Sequence, residues 1–225
     1  MATRHWAPLA ALVLALTLGA CSTSVPGQPT RASGPSPSGT SVKPTPKPIA
    51  ARDLLLQDGN TTPLGRAVAT PVGDSYFTSV EPPECAAALL FKGSPLLPAG
   101  SSDHADSAYA VGSQALYAES VDVYGDAVNT DDVVRKGFSA VADCRGDAVG
   151  VAPLGKFKPM RLSYFATLSD GVLVWTMTRA DWTCDYGLAA VPRVVLMLSA
   201  CDSKPGFPMA DWAAKRRAQL NSGAA

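Results

Sequence analysis

A start carrying Arg4, an almost wholly apolar run from Ala7 to Leu18 and a small-residue site before Cys21 determine where this chain folds. That compartment in turn determines how its other cysteines are read. The apolar run is too short to span a bilayer, and its charged start and small-residue end are those of a secretory signal. With Cys21 at the cleavage site set apart, Cys85, Cys144, Cys184 and Cys201 remain. An even number of cysteines in an oxidising compartment predicts two disulfides. Four cysteines allow three pairings. A strand, a turn and a returning strand fit between Cys184 and Cys201, while Cys85 and Cys144 each sit at the end of an expected helix. The expected pairs are therefore Cys85–Cys144 and Cys184–Cys201. The chain-entropy model assigns about 3 kcal/mol to the short loop and about 4 kcal/mol to the long one.

Leu18-Gly19-Ala20-Cys21 also resembles the bacterial lipobox, in which the thiol is joined to diacylglycerol and cleavage leaves that cysteine at the N-terminus. Cys21 is thus the expected lipidation site, with residues 1–20 as signal peptide. Segment 21–48 follows as a stalk of Ser, Thr, Pro and Gly, ending in Lys43-Pro44-Thr45-Pro46-Lys47-Pro48. Such a composition cannot bury enough surface to offset the entropy of ordering. Its prolines favour an extended spacer of about 3 Å per residue. The expected location is the extracytoplasmic face of the cell membrane, held there by the lipid anchor.

Charge excludes one class of partner. Of 19 basic side chains, Arg4, Arg31, Lys43 and Lys47 precede residue 49, which leaves 15 against all 19 acids in the remainder. A slightly acidic domain has no electrostatic footprint for nucleic acid.

Order is expected from residue 49 onward. Ile49 to Asp58 has helical spacing and stops at Gly59-Asn60. Pro82 to Phe91 reads as a short helix with prolines at its start. Tyr117 to Tyr124 alternates as a strand, with Tyr117, Val121 and Val123 on one face. Tyr117 and Tyr124 then lie on opposite faces, so at most one is expected to meet a core. Thr130-Asp131-Asp132 reads as an N-cap with acids in the first turn, and Val134, Phe138 and Val141 continue a helix towards Cys144. Leu162–Leu168 and Val172–Thr178 flank the hairpin signal Ser169-Asp170-Gly171. Val194 to Leu198 is continuously apolar, as in a central strand covered on both faces, and a helix from Met209 to Leu220 closes the chain. Residues 49–225 are therefore read as one α+β domain, an antiparallel sheet flanked by helices and braced by two disulfides.

The flanks of the cysteines carry a resemblance. Leu54-Leu55-Leu56 stands early, Pro83-Glu84-Cys85 follows, and the helix from Phe138 runs into Cys144. Trp182-Thr183-Cys184 comes next, and the strand from Val194 leads to Cys201 before the last helix. In this order the chain resembles the PknH-type extracellular sensor domain of actinobacteria, which occurs on a Ser/Thr protein kinase and on free-standing mycobacterial lipoproteins. The resemblance covers roughly 50–220. It departs at Val141, where the family commonly has Trp, and at Val194–Leu198, where the family strand often carries Asn and Asp. It implies an antiparallel sheet flanked by helices, two disulfides, a cleft for an unknown ligand and no catalytic activity.

The sequence carries no complete catalytic motif of the familiar kinds. Gly137-Phe138-Ser139-Ala140-Val141 lacks the closing glycine of a nucleophile elbow. The glycines between 93 and 100 are interrupted by Pro95 and Pro98, so no phosphate loop forms. Asp122, Asp126, Asp131 and Asp132 miss calcium-loop spacing. His104, the one histidine after the signal, reads as a solvated loop residue within Ser101 to Asp106. No metal or other cofactor is expected.

Trp175 alternates with Leu173 and Met177 on one strand face, and Trp182 is expected to pack on its neighbouring disulfide. These two are the candidate ligand contacts. The expected function is non-catalytic binding of a small molecule, lipid or envelope component in a cleft. The alternative is a module that docks on another envelope protein, which would show a flat apolar patch instead of a cleft.

Overall fold

A strand without a polar face must be covered twice. In the computed structural model, which describes residues 49–71, 76–112, 114–168 and 171–223, the run from Val194 lies inside a ten-stranded antiparallel sheet. The signal, Cys21 and the stalk lie outside the described residues, as do Ser169 and Asp170 of the expected hairpin turn.

The chain begins with α1 (Ala51–Leu54), a small hairpin of β1 (Thr61–Thr62) and β2 (Gly65–Arg66), then β3 (Val68–Thr70) and β4 (Ser79–Glu81). A 3-10 turn, Pro83–Cys85, leads into α2 (Ala86–Leu89). Two long strands follow, β5 (Ser101–Val111) and β6 (Ala115–Tyr124), then α3 (Thr130–Ala142). The second half is β-rich: β7 (Asp147–Ala152), β8 (Gly155–Lys156), β9 (Met160–Thr167), β10 (Val172–Arg179), β11 (Trp182–Val191) and β12 (Val194–Asp202). The last helix is α4 (Met209–Gly223). The strand order is β3-β5-β6-β12-β11-β10-β9-β7-β4, with β8 beside β7.

Two apolar layers result. Val194, Leu196 and Leu198 join Tyr109, Tyr117, Val121, Val123 and Trp212 on one face, under α1 and α4. Val195 and Met197 join Leu89, Val134, Leu173, Trp175 and Met177 on the other, under α2 and α3. α4 lies close on β11 because Gly187 has no side chain: a Cβ there would stand 3.0 Å from the Met209 Sδ. Cys85–Cys144 ties the α2 turn to the end of α3. Cys184–Cys201 joins directly opposed residues of β11 and β12.

The first layer hides an ion pair. Glu119 of β6 is fully buried and meets Arg216 of α4, with Arg216 Nε donating to Glu119 Oε1 at 2.8 Å and an Nη donating to Oε2 at 2.9 Å. Glu119 also accepts from the Leu56 backbone N–H at 2.7 Å and the Tyr117 hydroxyl at 2.6 Å. Arg216 donates further to the Leu54 carbonyl and to Gln219. The Trp212 indole donates to the Tyr117 hydroxyl. Burial, followed by the neighbouring Glu119 charge, pushes the Tyr117 hydroxyl well above its ordinary range.

Four local expectations change. The first helix stops at Leu54 instead of continuing to Asp58, because the Leu56 N–H is claimed by Glu119 and Leu55 and Leu56 are drawn into the core. The cap of α3 is Asn129, whose Oδ1 accepts from the Asp132 N–H at 3.0 Å, not Thr130. His104 lies on β5, not in a loop: β6 pairs with this polar segment and places His104 opposite Asp122. Tyr117 and Tyr124 are both buried, since each face of the sheet has its own core.

Removing one partner of a buried ion pair leaves an uncompensated charge, so Glu119→Ala or Arg216→Ala should each cost about 3–5 kcal/mol of unfolding free energy. A Glu119→Leu/Arg216→Met pair should cost less than the two alanine variants summed, as measured by urea unfolding.

Asp185, nearly buried on β11, has its carboxyl raised by desolvation, opposed by bonds from the Thr176 hydroxyl and the Phe207 backbone. The folded state therefore holds this proton more tightly than the unfolded chain. Stability from this group should fall as pH rises from about 3.9, the unfolded value, through the folded value. Asp185→Asn should thus stabilise at neutral pH. The gain should vanish below both values in urea titrations across pH.

Candidate functional site

The second layer covers only part of its sheet face. α2 is four residues long, and its helix-start turn carries Pro83 where a missing N–H is harmless. Its small residues, Ala86 to Ala88, bring it close to β10. The Trp175 indole donates to the Ala88 carbonyl at 2.8 Å, satisfying one of the carbonyls that a helix end leaves free. Val195, Met197 and Tyr124 are still covered on β12 and β6, but among the described residues the cover thins towards β5 and the 116–118 end of β6. Ala108 and Ala118 are half-buried there, Leu116 is 50% exposed and Val68 on β3 is 55% exposed.

The step between covered and uncovered sheet forms a cleft of ≈ 490 Å³. Its sheet side is lined by Tyr186, Ser199, Ala108, Ala118 and both sulfur-bearing residues of the Cys184–Cys201 bridge, with Trp182 at the start of β11. Two loop systems supply further lining, Leu89 and Phe91 from the α2 side and Tyr76, Phe77, Phe157 and Met160 from around β4, β8 and β9. The Phe77 and Phe157 rings meet edge to face at 5.0 Å. Gly150 makes room for this pair: a Cβ on it would stand 2.5 Å from the Phe77 ring.

Charged groups occupy the same lining. Lys92 follows Phe91 and its Nζ stands 4.8 Å from the centre of the Tyr76 ring. Lys158 follows Phe157 and donates to Asp181 Oδ2 at 3.0 Å, while Arg179 Nε donates to Asp181 Oδ1 at 2.7 Å. Those two cations hold the Asp181 carboxyl below its usual range. Asp106 of β5 is the acidic side chain in the lining. Burial raises the Tyr186 hydroxyl, with the Ser199 hydroxyl working against the rise.

The arrangement offers little chemistry. The ring of His104 pairs with Asp122 at 3.2 Å and Asp106 at 3.5 Å, with no serine or thiol among its described ring partners. Among the described residues no group of three His, Cys, Asp or Glu side chains could hold a metal ion. Tyr124 is pushed up to about 12, by burial first and the Asp122 charge second, so it stays a neutral donor to the Pro98 carbonyl.

The structure separates the two tryptophans read from sequence. Trp182 lines the cleft. Trp175 is buried beneath the lining with its ring stacked on Tyr186 at 5.3 Å, and Tyr186 presents the cleft surface in its place. The sequence reading missed Tyr76, Phe77, Phe91, Phe157, Lys92, Lys158 and Arg179. A signal was there: two Phe-Lys dipeptides, Phe91-Lys92 and Phe157-Lys158, stand outside the regular apolar patterns.

No family model matches the sequence. Proteins named "Putative lipoprotein LprH" from Mycobacterium bovis and Mycobacterium tuberculosis are 61% identical over 220 residues, covering 97% of this chain and 95% of theirs. The extracellular domain of PknH from Mycobacterium tuberculosis, a crystal structure, superposes with a TM-score of 0.56 and 16% identity, covering 78% of this chain and 98% of that one. The fold is therefore that of the PknH-type extracellular domain, as the cysteine order suggests. The chain belongs to the mycobacterial LprH lipoprotein family.

Gly150→Val should displace the Phe77 ring from Phe157, with about 1–3 kcal/mol of destabilisation from overpacking. Loss of ring-current shifts on Phe77 and Phe157 in NMR spectra would report the displacement. Unchanged shifts would contradict the contact.

Proposed function

We propose that this protein is a lipid-anchored receptor without turnover, joined to the membrane through Cys21 and binding an apolar ligand on the extracytoplasmic side. The observation that carries the reading is the cleft. It falls within the size range of small-ligand sites, about 300–1,000 Å³, and joins apolar lining with a few polar groups. Its rigidity favours recognition, since the Cys184–Cys201 bridge and the stacked Trp175–Tyr186 pair brace the lining. The absence of a described nucleophile beside His104 argues for binding over catalysis. Leu18-Gly19-Ala20-Cys21 and the name of the LprH relatives support the anchor. Among the described residues no helix is long and apolar enough to cross a membrane.

Exposed Leu116 and Val68 beside the cleft favour a second reading, docking on another envelope protein. The two readings differ in what travels with the protein. Native mass spectrometry of protein taken from its own membranes should show a bound small molecule under the first and a protein partner under the second.

Cys21→Ser should move the protein from the membrane fraction to the soluble fraction, with the mature N-terminus of the wild type mapping to residue 21. Retention in membranes would refute the anchor. Esterase, glycosidase, peptidase and phosphatase substrates should show no turnover above background. Turnover abolished by one substitution in the folded domain would refute the non-catalytic reading.

A further inference from the structure

We infer that the cleft selects an amphiphile with an anionic head, its chain lying against the aromatic lining and its carboxylate or phosphate held by Lys92, Lys158 and Arg179. The inference rests on the proposed ligand-binding reading and deepens it.

Three observations converge. First, the cationic side chains and the aromatic lining come from the same short segments: Phe91 with Lys92, and Phe157 with Lys158. A ligand whose chain meets one member of each pair therefore brings its head to the other. Second, Asp181 draws Lys158 and Arg179 together, one on each carboxyl oxygen. One acid cannot neutralise two cations, and both retain N–H groups that a ligand anion could use. Third, Lys92 rests over the Tyr76 ring instead of on a carboxylate. Against these stands Asp106 on the opposing strand, so the lining carries three cations and one acid. The Asp106 charge lies beside His104, away from the Asp181 cluster, and adds a penalty for an anion placed at the wrong end.

A cation would be repelled by this rim, and a neutral polar head would accept only weaker hydrogen bonds than an anion does. Partly exposed charge pairs are individually weak, so two or three of them supply on the order of a tenfold preference.

The test uses the full chain carrying Cys21→Ser, which avoids detergent. Calorimetry compares decanoate, decyl phosphate, decyltrimethylammonium and acetate, all below micelle formation. The inference expects one or both anionic amphiphiles to bind about tenfold tighter than the ammonium, with acetate silent. Whichever anion binds more tightly tells a carboxylate head from a phosphate head. Lys92→Glu/Lys158→Glu, both at exposed positions, should erase or reverse the preference while leaving chain binding. Ala118→Trp, which fills the cleft from β6, should abolish binding. Equal affinity for the anionic and cationic chains would overturn the anion preference and leave the cleft reading standing. Acetate binding as tightly as decanoate would overturn the role of the chain. Binding untouched by Ala118→Trp would place the amphiphile elsewhere. If no amphiphile binds at all, the receptor reading itself fails.

Discussion

Glu119 sits at the centre of the polar order in this fold. Its two oxygens receive the Leu56 backbone, the Tyr117 hydroxyl and the Arg216 guanidinium, so one side chain of β6 gathers the first ordered segment and the last helix onto one sheet face. A buried ion pair is a poor stability argument by itself, because desolvation consumes much of the attraction. Its effect here is positional. A carboxylate with no access to water must keep its partners, and those partners come from opposite ends of the domain. Both ends are thereby committed to the α4 side of the sheet. The opposite side is left with α2, α3 and the loops, which are too short to cover all of it, and the cleft is the uncovered remainder.

This explains why some of the structure was legible in the sequence and some was not. Val194 to Leu198 announced a doubly covered strand because burial on both faces leaves a continuous apolar run. α3 announced itself by periodicity, with Val134, Phe138 and Val141 at helical spacing. The same doubly covered sheet defeats the expectation that only one of Tyr117 and Tyr124 meets a core. That expectation assumes one solvated face, and this sheet has two cores. The shortened first helix was illegible for a different reason. Leu54-Leu55-Leu56 has good helical spacing, but a long-range bond from the Leu56 N–H to the Glu119 carboxylate decides its conformation. His104 escaped for a third reason: a polar strand segment paired at its backbone shows no apolar alternation to read.

The cleft was the least legible part. Its lining is assembled from Tyr76, Phe91, Phe157, Trp182 and Tyr186, residues that approach one another only after the sheet has formed. Trp182 could be found because it neighbours Cys184. Trp175 attracted attention for its size, yet size is also what made it core: a large ring with one donor fits where the Ala88 carbonyl needs a partner. The cleft-lining position went to Tyr186, one strand over. Choosing between the two from sequence would require knowing where the helical layer stops.

The asymmetry of the two faces also has a directional consequence. Ile49, where the described chain begins, packs with the core on the α1 and α4 side. The cleft opens on the other side of the same sheet. This asymmetry keeps the first described residues away from the cleft lining. It also separates two roles within one sheet. The Glu119 face takes up the ends of the chain and holds them with buried polar bonds. The Tyr186 face carries the Cys184–Cys201 bridge, the aromatic pairs and the cations. Ala118 and Tyr117 are adjacent on β6 and point to opposite faces, so one strand serves the Glu119 network and the cleft lining within two residues.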